Sequence, residues 1–221
     1  MLEGAAPGGT PLEPYMEPLV TAILVYLPAA ALLTMTPGTD TLLVLRSATS
    51  AGSPAGVRVA LGVGLGCLVW AAATAVGLAA LIAASTVAYA LLKWAGAGYL
   101  LWLGMRGLLR PRSALEQPRE KRGQNGFAQG LLTNVMNPKV AVFYVSFLPQ
   151  FVPAGAPVAR VILLLGALHA LLSLAWLSLL ALGTRSLGPL LRRPSVVGLL
   201  DRLSGIALIG LGARLAMTSR P

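Results

Sequence analysis

Charge is scarce in this chain. Asp, Glu, Lys and Arg make up 11% of its 221 residues, where a soluble domain carries about 25%. With 56% hydrophobic residues, too little polar surface remains to cover a water-soluble fold, and the bilayer is the solvent that fits. One cysteine, Cys67, and one histidine, His169, exclude a disulfide framework and a Cys/His metal cluster; no cofactor is expected. No Gly-x-Ser-x-Gly elbow accompanies that lone histidine, so the chain does not read as an enzyme. Strict alternation of apolar and polar residues is missing too, which excludes the strands of a membrane barrel. Acids are few: 7 against 17 bases, a net charge of +10. That balance elsewhere suggests nucleic acid. Here the bases fall between apolar runs without interleaved aromatics, so membrane topology accounts for them instead.

What is present is a series of six apolar runs, roughly 19–45, 57–82, 87–109, 127–151, 158–184 and 197–217, each long enough for a helix of about 20 residues to span a bilayer. The fold class expected is an all-α integral membrane protein with six transmembrane helices. Residues 1–17 open with the Gly/Pro-rich MLEGAAPGGTPLEPY. They lack the basic start of a signal peptide and read as a disordered extension, with Met16 an alternative start. Residues 18–109 hold the first three spans. Residues 110–126 form a basic linker with Arg110, Arg112, Arg119, Lys121 and Arg122. Residues 127–221 hold the last three spans. The loops after spans one, three and five carry twelve Lys and Arg, the other side four. The basic loops are therefore expected in the cytoplasm and both termini outside.

Two of the spans are broken alike. Span one contains Leu33-Thr34-Met35-Thr36-Pro37-Gly38-Thr39-Asp40, and span four contains Leu132-Thr133-Asn134-Val135-Met136-Asn137-Pro138-Lys139. Each half has three spans, an odd number, so the second half must insert upside down. This is the inverted-repeat pattern of secondary transporters. Each proline deletes a backbone donor and clashes with the carbonyl four residues earlier. Leu33 and Asn134 thus lose their regular partners, and the freed carbonyls must face protein, water or substrate. Either site alone would also read as a simple proline kink.

These segments, with Gln129-Gly130-Leu131 before the second, Phe147-Leu148-Pro149-Gln150-Phe151 after it, and Lys93-Trp94-Ala95-Gly96-Ala97-Gly98-Tyr99-Leu100-Leu101-Trp102-Leu103-Gly104, resemble the LysE/RhtB family of amino-acid exporters. The resemblance runs from about residue 17 to the end. It implies a six-helix carrier of the bacterial inner membrane that exports amino acids or related small zwitterions, coupled to protons. The family's Pro-Gly-Pro is Pro-Gly-Thr here, with Pro37 kept, and Trp70 stands where a polar residue is common. Two alternatives are a cation or metal exporter of the wider superfamily and a non-transporting scaffold. The first lacks the carboxylate or thiolate cluster a metal path wants. The second would not need charges at matched breaks.

Asp40 reads as the acid inside a span, at a cost of roughly 2.5–3.5 kcal/mol on insertion scales. Lys139 reads as the base deep in a span. The broken helices are expected to cross near the midplane and bring the two together. Asp40 would bind a substrate ammonium or a proton; Lys139 would bind a carboxylate or hold Asp40 charged. A static ion pair is the alternative. Thr36, Pro37, Gly38 and Pro138 form the breaks. Thr34, Thr39, Asn134 and Asn137 offer donors and acceptors to a zwitterion, or else bond back to their own helices. His169 is a candidate proton relay or a packed core residue. Gly62 and Gly66, with Gly96, Gly104, Gly205 and Gly210, supply small surfaces for helix packing and permit a homodimer.

Overall fold

The computed structural model describes residues 15–110, 125–184, 189 and 193–217. The extension 1–14, most of the basic linker, and Arg185 and Arg192 lie outside the described residues. Helices account for all six expected runs: α1 (Met16–Met35), α2 (Thr39–Ala51), α3 (Ser53–Ala84), α4 (Thr86–Leu109), α5 (Gly126–Val135), α6 (Pro138–Val142), α7 (Val158–Leu182) and α8 (Pro194–Met217). No strand occurs among the described residues. Helix α1 begins inside the expected extension, at Met16. Four helices, α1, α3, α7 and α8, are long and apolar enough to cross a membrane, and the number rises to five when α5 and Pro138–Phe151, bent by 52°, are taken as one span.

The two prolines break their helices by the same local mechanism. The residue before a proline is pushed out of the helical region. Thr36 (φ −65°, ψ 116°) ends α1 in this way, and Asn137 (φ −80°, ψ 108°) precedes α6. The last regular bonds are Thr36 N to Leu32 O at 3.1 Å and Met136 N to Leu132 O at 2.9 Å, and helix resumes with Leu42 N to Gly38 O and Ala141 N to Asn137 O, both 3.0 Å. Pro28, by contrast, sits inside α1 without ending it. Beyond α6 the chain passes through a π turn (Phe143–Phe147) and a 3₁₀ turn (Leu148–Phe151), an irregularity often found beside functional sites.

Close helix approach explains two of the expected glycine surfaces. A Cβ on Gly62 of α3 would overlap the Phe127 carbonyl of α5, and one on Gly130 of α5 would overlap the Val59 carbonyl of α3. Helices α4 and α8 meet reciprocally: a Cβ on Gly104 would lie 2.6 Å from the Gly205 carbonyl, and the reverse is also 2.6 Å. Gly210 has open space around it, so it is not part of that packing surface.

The buried side chains form two apolar clusters stacked along the helices. One holds Cys67, Ala71 and Ala75 of α3, Val161 to Ala170 of α7, and the aromatic group Tyr26, Phe143, Tyr144, Phe147 and Phe151. The other holds Leu43, Val44, Leu45 and Ala48 of α2, Val59 to Val63 of α3, and Leu177 to Ala181 of α7. Between them, level with the two breaks, lies a polar cavity.

Candidate functional site

The cavity has a volume of about 40 Å³ and is lined by Thr34, Thr36, Gly38, Asp40, Asn134, Asn137, Lys139 and His169 of the expected set. Leu33, Thr41, Val63, Cys67, Val140, Ser173 and Leu177 complete the wall. Pro37, Thr39 and Pro138 do not line it. Pro37 is buried in the break, while Thr39 and Pro138 face outward.

Asp40 and Lys139 hold corresponding positions: each is the second residue of the half-helix that follows a break. Backbone N–H groups at such an end favour negative charge, which suits Asp40 and opposes Lys139. The Lys139 side chain leaves its own helix end and crosses to α1. Its Nζ donates to Leu33 O at 2.9 Å and to Thr36 O at 3.4 Å. Leu33 O is the carbonyl that Pro37 strands, and the C-terminal end of α1 favours a cation. The two prolines strand two carbonyls. Lys139 takes the first, and the second, Asn134 O, accepts from Asn137 N at 3.0 Å.

The Asp40 carboxylate is held by amides. Oδ2 accepts from Asn134 Nδ2 at 2.9 Å and from Asn137 Nδ2 at 3.4 Å. Thr39 Oγ1 makes a longer contact, 3.5 Å, with Oδ1. Asn137 also donates to Thr39 Oγ1 at 3.2 Å, and its own Oδ1 caps α6 by accepting from Lys139 N at 3.1 Å. Asn134 is buried against Gly66, where a Cβ would lie 2.6 Å from its Oδ1. That Oδ1 has no hydrogen-bond partner among the described residues. Charges from one half of the chain are thus held by groups from the other.

Two hydroxyl pairs brace the site. Thr36 Oγ1 meets Ser204 Oγ and also donates to Leu32 O at 2.6 Å. Thr34 Oγ1 lies 3.5 Å from Ser173 Oγ. His169 is almost fully buried and its Nδ1 is 3.0 Å from Tyr144 Oη. Tyr144 Oη donates to Gly166 O at 3.3 Å.

Sequence reasoning missed Tyr144, Ser173 and Ser204. One signal was available: His169, Ser173 and Leu177 recur every four residues on α7, as Val63 and Cys67 do on α3, so each helix turns one stripe to the cavity. It also passed over Asp201, a second acid within a membrane-length helix. Asp201 is buried where α8 meets Gly107 of α4, and it is not among the residues lining the cavity. Among the described residues no group of His, Cys, Asp and Glu could hold a metal ion.

Comparison with known proteins follows the same helices. The family model described as LysE type translocator matches residues 31–219. The uncharacterized membrane protein YrhP of Bacillus subtilis is 26% identical over 208 residues, covering 89% of this chain and 99% of its own. The leucine efflux protein of Klebsiella pneumoniae is 30% identical over 198 residues, covering 87% and 93%. The homoserine/homoserine lactone efflux protein of Salmonella typhimurium is 27% identical over 195 residues, covering 86% and 94%. No solved structure matches. Apolar helices and membrane relatives agree on a multi-pass membrane protein.

Proposed function

The chain belongs to the LysE type translocator family, and on that premise we propose that it exports amino acids across the bacterial inner membrane, coupled to protons. The observation that carries this reading is that Asp40 and Lys139, one from each half of the chain, line the same cavity. An amino-acid zwitterion needs an anion for its ammonium and a cation for its carboxylate. Asp40 with the unpartnered Asn134 Oδ1 suits the ammonium. Lys139 and the half-helix N-termini suit the carboxylate. Lys139 donates to Leu33 O, a neutral acceptor that a carboxylate can replace. Relatives that bear the names of leucine and homoserine efflux proteins support the substrate class.

Six spans in two inverted triplets, about 18–109 and 127–221, fit the observed helix partners. Helix α3 packs on α7 and α4 on α8, so each pair joins equivalent helices of the two halves. Helix α5 packs on α3 as α1 packs on α7, again equivalent contacts. At about 40 Å³ the cavity is too small for an amino acid, so loading requires one apolar cluster or the other to part. That is alternating access around a fixed midplane site. Asp40 then carries either the proton or the ammonium, which couples the two flows. The basic loops face the cytoplasm and the termini face outward.

The test is export from proteoliposomes of the full chain loaded with radiolabelled leucine or homoserine under an imposed pH gradient. Export faster than from empty liposomes, and abolished when the gradient is collapsed, is expected. Rates equal to empty liposomes for every amino acid tried would remove the reading.

A further inference from the structure

Resting on the export reading and its orientation, we infer that the wall between the cavity and the outer face is a gate latched by two tyrosines, Tyr26 of α1 and Tyr144 of the π turn, on adjacent carbonyls of α7. Tyr26 Oη donates to Leu165 O at 3.1 Å and Tyr144 Oη to Gly166 O at 3.3 Å. One tyrosine comes from each half of the chain, and both are fully buried. In that orientation each lies outward of the break in its own span, just as Leu165 and Gly166 lie outward of His169 and Ser173 on α7.

Around the hydroxyls the gate is a layer of rings. Tyr26 stacks on Phe143 with centroids 6.0 Å apart and meets Phe151 edge-on at 5.3 Å, while Phe147 bridges the two at 5.1 and 4.8 Å. The cytoplasmic cluster is built otherwise. Its buried residues, from Leu43 on α2 to Ala181 on α7, are all aliphatic, so apolar packing alone joins them. The outer side is tied by directional bonds that are exchanged for water when it opens. On the α7 side that exchange costs little. Leu165 and Gly166 lie within α7 and keep the helical N–H of the residue four positions on, so only the two hydroxyls need new partners.

Polar atoms buried beside the gate mark the same route. Trp70 and Thr74 follow the cavity residue Cys67 along α3 at spacings that keep all three on one side of the helix. Among the described residues Trp70 Nε1 and Thr74 Oγ1 have no hydrogen-bond partner, and neither has Gln150 Oε1 in the 3₁₀ turn that carries Phe151. Buried polar atoms are rarely left so. An open outer vestibule brings water to them and supplies the partners that the closed gate lacks.

The test uses Cys67, the single cysteine, which lines the cavity behind the latch and is 1% exposed. Intact cells expressing the full chain are treated from outside with a membrane-impermeant cationic methanethiosulfonate, and inside-out vesicles are treated in parallel. Labelling is read as a mass shift of the purified protein. Wild type is expected to label slowly from outside. Tyr26→Phe and Tyr144→Phe are each expected to raise that rate by about fivefold, the weight of one hydrogen bond, and the double variant by more, with no rise from the cytoplasmic side. In a Cys67→Ala background with both tyrosines intact, Thr74→Cys is expected to label from outside faster than Cys67 does in wild type. A double variant that labels from outside at the wild-type rate overturns the inference. So does a rise from both sides alike, which reports general loosening, and so does Thr74→Cys labelled no faster than Cys67. Should the tyrosine variants not fold, the Thr74→Cys comparison decides. Leucine flux in proteoliposomes keeps the two readings apart: normal wild-type flux with unresponsive labelling removes the gate alone, whereas no flux of any amino acid removes the export reading on which it rests.

Discussion

The ammonium of Lys139 lies 2.9 Å from the carbonyl oxygen of Leu33, the acceptor that Pro37 deprives of its helical N–H. A break in one half of the chain is thereby completed by a charge from the other half. The contact joins residues 106 positions apart, and it explains how a lysine tolerates the wrong end of its own half-helix.

Pro37→Ala restores an N–H opposite Leu33 O, and α1 can then continue into α2. The variant is expected to fold, because it regains a helical bond worth about 1 kcal/mol. Lys139 loses Leu33 O as an acceptor and the break loses its shape, so export is expected to fall by about tenfold or more, as befits a site built on a discontinuous helix. Initial export rates and thermal stability in detergent, measured on one preparation, check both halves of this expectation.

Gly62→Leu would drive a side chain into the Phe127 carbonyl of α5. Overpacking of this kind costs about 1–3 kcal/mol or more, and where backbone rather than a side chain blocks the space, little relaxation is available. A large loss of monodisperse protein on size exclusion is expected. Gly210→Leu meets open space and is expected to leave yield and export unchanged.

Tyr144→Phe removes the hydroxyl shared by His169 Nδ1 and Gly166 O. Leaving buried polar atoms unpaired costs about 1–3 kcal/mol, which for a chain of this size lowers Tm by about 2–4 °C for each kcal/mol. Adding His169→Leu removes the orphaned nitrogen as well. The double variant is therefore expected to be more stable than the sum of the two single losses, and a thermal double-mutant cycle measures the difference.

The helices and their breaks were legible because each depends on local chemistry. An apolar run of about 20 residues needs no partner to be read, and the effect of Pro37 or Pro138 on its neighbour is a steric fact of the chain. Pairing across the fold was not legible. Thr34 meets a serine 139 positions away and Thr36 one 168 positions away, and a small hydroxyl in an apolar helix bonds to its own backbone as readily as to another helix. Tyr144 looked like one aromatic among several, and nothing in its neighbours announces the π turn that carries it. Asp40 and Lys139 were found because a charge in a membrane helix is costly wherever it points. Their partners, two asparagine amides and the carbonyls of Leu33 and Thr36, follow only from the crossing of the breaks.

The central claim is that a zwitterion is held between Asp40 and Lys139, and it is tested most directly by removing one charge at a time. Wild type, Asp40→Asn and Lys139→Gln are reconstituted at equal density, and export of radiolabelled leucine is followed under a pH gradient. Both substitutions keep side-chain length and hydrogen-bonding capacity closely enough for folding to survive, which size exclusion verifies. The account predicts that each variant exports at less than about a tenth of the wild-type rate, since each loses a charge-assisted contact. Normal export by either correctly folded variant would contradict it.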